Sequence, residues 1–152
     1  MRGGDGSGQI NVPADLAFVT AVAAGAGHSL ALTEDGEVVA WGLNDFGEAS
    51  VPSGLTDVIA ITAGVSQSAA LRSDGTVVAW GRDDYGVTEI PPDLADVVAI
   101  SGTGTHCLAL TSAGLVYGWG SDDCGESDVP DILSGVTVIA AGYGHSLAVM
   151  PD

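Results

Sequence analysis

Short runs of small and apolar residues return along the chain, each ending in a glycine or a polar pair. The clearest set lies between Thr56 and Leu94. Val58-Ile59-Ala60-Ile61-Thr62-Ala63-Gly64 is apolar and β-branched, which predicts a buried strand. Gln67-Ser68-Ala69-Ala70-Leu71 follows, and Ser73-Asp74-Gly75 closes it with the Asp-Gly pair that favours a tight hairpin turn. Thr76-Val77-Val78-Ala79-Trp80-Gly81 predicts a third strand, and Arg82-Asp83-Asp84-Tyr85-Gly86 a polar loop running on to Ile90-Pro91-Pro92. No helical period of about 3.6 residues persists anywhere in the chain.

The same pattern recurs every 39 residues. Trp41-Gly42 is followed by Trp80-Gly81 and Trp119-Gly120, and His28 by Gln67, His106 and His145. Pro13, Pro52, Pro91 and Pro130 keep the same step, as do Gly8, Gly47, Gly86 and Gly125. A fixed period of this size marks a repeat protein, in which one supersecondary unit is copied and stacked. Three antiparallel strands cannot bury both faces alone, so neighbouring units must cover them. Radial stacking gives a β-propeller with one unit per blade. The expectation is an all-β single domain with copies at 17–55, 56–94 and 95–133, and a partial copy at 134–152 completed by or paired with 1–16.

Composition narrows the partners. The 152 residues carry 20 Asp and Glu against three arginines (Arg2, Arg72 and Arg82), a net charge of -17. Such a chain repels phosphate backbones, so nucleic acid and anionic membrane surfaces are not expected partners. A basic protein surface is compatible with it, and so is a plain role in solubility. No run approaches the roughly 20 apolar residues of a membrane span, and Met1-Arg2-Gly3-Gly4-Asp5-Gly6 lacks an apolar leader core. The default expectation for the compartment is therefore the cytoplasm. Cys107 and Cys124 occupy different repeat positions and form neither a C-x-x-C pair nor a disulfide framework.

The pattern Ile139-Ala140-Ala141-Gly142-Tyr143-Gly144-His145-Ser146-Leu147-Ala148 resembles the regulator-of-chromosome-condensation repeat. So does Ala23-Ala24-Gly25 through His28-Ser29-Leu30-Ala31-Leu32, with Asp35-Gly36 and Val39-Ala40-Trp41-Gly42 after it. The short period and the segment from Gly47-Glu48 to Val51-Pro52 are most similar to bacterial members such as the propeller-type β-lactamase inhibitory proteins. The resemblance implies a propeller of about seven blades whose loops on one face bind another protein. It also implies aromatic residues in the first loop of each inhibitory repeat, where this chain offers only Tyr143 among Ala26-Gly27, Val65-Ser66, Gly104-Thr105 and Tyr143-Gly144. The tryptophan cluster of the family's plant ultraviolet photoreceptor has no counterpart here.

Fewer than four repeats are present, with Gly3 aligned to Gly42 and Asp152 to Asp35, so one unit lacks its third strand. An arc of blades exposes two apolar flanks, more than a soluble monomer usually shows. Two copies closing head to tail into an eight-bladed homodimeric ring would cover them. A single chain closing as a four-bladed ring, or a longer parent protein, would do the same. The homodimer is the expectation.

Candidate chemistry is sparse. His28, His106 and His145 share one repeat position with Gln67, which suits a hydrogen bond inside each blade better than a metal centre. The three tryptophans suit packing between blades. No nucleophile sits beside a base, no Gly-x-Ser-x-Gly elbow occurs and there is no lysine, so enzyme activity and a cofactor are not expected. The acidic groups Asn44-Asp45 with Glu48, Asp83-Asp84 with Glu89, and Asp122-Asp123 with Glu126 lack calcium-loop spacing. They read as solvated turn residues or as a docking surface for a basic protein. Phe46, Arg82 and Tyr85 are the anchors such a surface would use, with Asp83, Asp84, Asp122, Asp123 and Tyr143 around them. A protein-interaction scaffold is the first functional expectation, and an enzyme-inhibitory or nucleotide-exchange regulator the second.

Overall fold

The computed structural model describes residues 6–130 and 132–151; Gly3 and Asp152, the two alignment points at the ends, lie outside them. Among the described residues eleven strands form four antiparallel sheets. The first contains β1 (Val19–Ala24), β2 (His28–Thr33) and β3 (Val38–Gly42). The second contains β4 (Val58–Ala63), β5 (Gln67–Arg72) and β6 (Val77–Gly81). The third contains β7 (Val97–Thr103), β8 (His106–Thr111) and β9 (Val116–Gly120). The last has only β10 (Val138–Ala141) and β11 (Ser146–Val149). The chain is thus an all-β propeller arc of three full blades and one two-stranded blade.

Register repeats with the sequence. His28 lies opposite Gly42, Gln67 opposite Gly81 and His106 opposite Gly120. The first strand of each full blade is irregular at the same place, between Val19 and Ala21, Val58 and Ala60, Val97 and Ala99. Such bulges sharpen the strand twist, and here they fall where each blade begins.

The core lies between blades. Leu30, Leu32, Val58, Ala63, Ala70 and Trp80 join the first blade to the second. Leu71, Val87, Val97, Cys107, Ala109 and Trp119 join the second to the third. Middle strands supply half of these side chains and the most deeply buried of them, because both their faces are covered: Leu30 and Leu71 are 0% exposed. Cys107 is sealed in this layer, and burial pushes its thiol pKa up to about 12, which keeps it protonated and unreactive. First strands pack in sequence, β1 on β4, β4 on β7 and β7 on β10, whereas β1 and β10 share no comparable contact. The arc is open.

Candidate functional site

The turn between first and second strands and the exit from the third strand lie at the same end of every blade, since those strands run in the same direction. Backbone bonds tie the two loops together: Leu43 N–H donates to the Gly27 carbonyl, Arg82 N–H to Ser66 and Ser121 N–H to Thr105. Both loops therefore share one face of the arc.

Below that face a repeated polar seam fixes the blades. Trp41 Nε1–H donates to the Gln9 carbonyl at 2.8 Å, Trp80 to Glu48 at 3.0 Å and Trp119 to Val87 at 2.9 Å. Ser29 and Ser68 hydroxyls donate to those same Gln9 and Glu48 carbonyls, at 3.0 and 2.9 Å, and Ser146 Oγ donates to Glu126 at 2.6 Å. The histidines reach across the seam, not within the blade as the sequence suggested. His28 Nε2 lies 2.9 Å from Ser68 Oγ, and His106 Nε2 lies 3.0 Å from Ser146 Oγ. Each serine spends its one proton on a carbonyl, so the imidazole must donate from Nε2. Gln67 in the same slot finds Cys107 where a serine would be, and donates instead to the Gly104 carbonyl at 2.8 Å.

That geometry sets a pH dependence. Burial lowers the pKa of His28, with Glu48 opposing. Burial also lowers that of His106; His145 adds to the lowering and Glu126 opposes it. A histidine depressed below its ordinary value contributes stability that is complete above about pH 6.5 and is lost as pH falls through the folded value. Urea midpoints should therefore fall between pH 7 and pH 5. The H28Q/H106Q double variant, built on the Gln67 precedent, should lose that part of the slope; an unchanged slope would show that these imidazoles do not titrate with folding. Charge repulsion relaxes equally in both proteins over this range, so the difference between them isolates the histidines.

The candidate residues fall into two groups. Arg82 lies over the Phe46 ring, 4.6 Å from its centroid, and pairs with Asp84. Tyr85, 49% exposed, shares with Arg82 a small cleft lined by Val65, Gln67 and Thr105. These residues form one aromatic and cationic cluster across neighbouring loops. Tyr143 stands apart on the two-stranded blade, 80% exposed. Asp83 and Asp122 brace their own loops, accepting from Thr88 N–H at 2.9 Å and Ser127 N–H at 3.2 Å, as Asn44 accepts from Ala49 N–H at 2.9 Å. Asp45, Asp84 and Asp123 are exposed.

Two carboxylates grouped with the acidic loops belong elsewhere. Glu48 is 0% and Glu126 is 7% exposed. Glu48 Oε2 accepts from Phe46 N–H, while Glu126 accepts from Ser121 Oγ–H and Cys124 N–H, each at 2.7 Å. Those hydrogen bonds, led by Ser121, hold Glu126 below the ordinary carboxylate range. Glu48 has Leu43 where Glu126 has Ser121, and its Oε1 has no partner among the described residues. Glu89 is exposed and does not share their repeat position, which Val87 fills. The inward turn follows from the Gly-Glu pair, because the residue after the loop glycine faces the seam.

Arg72 and Arg82 each have an acid two residues on, Asp74 and Asp84. Their positive charge is neutralised locally, and the loop face is left acidic. Among the described residues no group of three or more His, Cys, Asp and Glu could hold a metal ion. Among the described residues no helix is long and apolar enough to cross a membrane.

Comparison with known proteins agrees with the repeat. Human WBSCR16 superposes with a TM-score of 0.75 at 22% identity, over 87% of this chain and 44% of that one. Yeast RCC1 (Prp20), in its structure bound to Kap60, gives 0.74 at 23% identity, over 91% and 43%. Prp20p from Saccharomyces cerevisiae, described with its binding properties to Gsp1p and histones, gives 0.67 at 23%, over 87% and 43%. The chain thus spans less than half the length of these structures. Among curated proteins none matches significantly. The regulator of chromosome condensation (RCC1) repeat model matches residues 19–48, 58–87 and 97–126, more than half of the chain. The chain belongs to the RCC1 repeat family.

Proposed function

We propose that the protein is a non-catalytic interaction scaffold that docks a basic protein surface on its loop face and assembles with itself to complete a ring. One observation carries the docking reading: the Phe46–Arg82–Tyr85 cluster, set in loops that also carry the exposed Asp45 and Asp84, with exposed Asp123 in the corresponding loop of the next blade. Aromatic and arginine side chains supply most of the energy at protein interfaces, and peripheral charge supplies steering and specificity. The family lends support, because the yeast relative is described as bound to Kap60 and as binding Gsp1p and histones.

Core histones are a suitable basic probe. Binding measured by interferometry should weaken about tenfold or more between 50 and 250 mM salt, as the charge contacts are screened. The F46A/Y85A double variant should lose a further tenfold or so at either salt. Binding that ignores both salt and the double variant would overturn the docking reading.

A further inference from the structure

The seam that joins the blades is present three times, and its two halves stand open at the ends of the arc. His28 and His106 are 1% and 0% exposed because the next blade covers them. His145, in the same slot, is exposed, and its imidazole makes no hydrogen bond among the described residues. Leu147 and Val149 beside it are 60% and 54% exposed, whereas their counterparts Leu108 and Leu110 are 1% and 4%. At the other end Val19 is 41% exposed, against 4% for each of Val58, Val97 and Val136. Ser29 already donates its proton to Gln9, as Ser68 does to Glu48, but no imidazole approaches it from a preceding blade. One end therefore offers a donor with bare leucine and valine, and the other offers the matching acceptor with bare valines.

We infer that the two ends meet in a second copy of the chain, His145 Nε2–H of one copy donating to Ser29 Oγ of the other. The inference rests on the self-assembly reading above and gives it a contact. Two inter-blade backbone bonds, Ala26 N–H to the Gly64 carbonyl at 3.2 Å and Val65 N–H to the Gly104 carbonyl at 2.9 Å, continued by the 39-residue step, place Tyr143 N–H of one copy against the Gly25–Ala26 carbonyls of its partner. Tyr143 then belongs to the junction, not to the docking face. A two-fold axis forms the same seam twice, so the pair closes and leaves no free flank. Each chain carries a net charge of -17, so salt should strengthen this contact by screening repulsion. Docking of a basic protein responds to salt in the opposite sense.

Sedimentation equilibrium of the whole chain tests it. The expected species has about 30 kDa, twice the 15.0 kDa of one chain, and persists from low to high salt. The exposed His145 imidazole makes no hydrogen bond to its own chain among the described residues, and its backbone bond to Gly142 N–H survives truncation of the side chain, so H145A should fold normally by circular dichroism. Its dimer dissociation constant should rise about a hundredfold, tenfold at each of the two seams. H145Q should restore most of the loss, because Gln67 makes the seam from the same slot. A dimer indifferent to H145A would overturn this junction and leave self-assembly standing. A monomer at all concentrations, or an open ladder of larger species, would overturn both, while the histone experiment would still judge the docking face.

Discussion

Alanine at Leu71 should destabilise the protein by about 2–5 kcal/mol, the range for emptying a sealed leucine site. Leu71 is 0% exposed and packs with Val87, Val97, Cys107, Ala109 and Trp119, so its side chain holds the second blade against the third. Its own strand β5 and the facing β8 are hydrogen-bonded on both sides and have little freedom to collapse into the space. In a repeat protein, stability is close to a sum of units and the interfaces between neighbours. Weakening the middle interface should therefore broaden a urea transition as well as lower its midpoint, as the two halves uncouple. Ile59, 55% exposed on β4, is the control: I59A should shift stability by no more than about 0.5 kcal/mol. Similar losses for the two variants would place the core somewhere other than between blades.

Alanine at Gly81 should cost about 3 kcal/mol or more, and for a different reason. Its φ of +106° lies where L-residues are strained by about 1–3 kcal/mol. A Cβ there would sit 2.5 Å from the Ser66 carbonyl oxygen and 2.9 Å from Gln67 Cα, backbone atoms held by the strand pairing. Overpacking of this kind adds about 1–3 kcal/mol. Gly47 separates the two effects, since its φ is +83° but a Cβ would meet nothing within 4 Å. G47A should lose only the conformational part, about 1 kcal/mol. Thermal melts of the two variants side by side decide the matter: equal losses would mean that contact with the Ser66–Gln67 backbone carries no weight.

Much of this architecture was legible in the residues. The run from Val58 to Gly64 became β4, Gln67 to Leu71 became β5 with one more residue, and the Asp74-Gly75 pair closed the predicted hairpin. Period and alternation report what lies along a strand and across a turn, and those are local. They do not report what lies across the gap to the next blade. Sequence alone therefore puts the hydrogen bond of His28 inside its own blade, although its partner Ser68 lies 40 residues on. Glu48 reads with the acidic loop residues because charge in a polar loop ordinarily faces water, yet its carboxylate turns in to bind the Phe46 N–H. The placing of Arg82 over Phe46 needed the rise and twist of two adjacent units, which no single window of sequence contains.

The carbonyls that receive the indole protons belong to Gln9, Glu48 and Val87, three unlike side chains at one repeat position. Because main-chain oxygen makes the bond, the side chain there is released to drift. A copied stretch of 39 residues then arrives with its own fastening to whatever unit precedes it. Lengthening or shortening such an array by gene duplication and loss demands no matching change in the neighbour, and blade number is free to evolve separately from the chemistry of the loops.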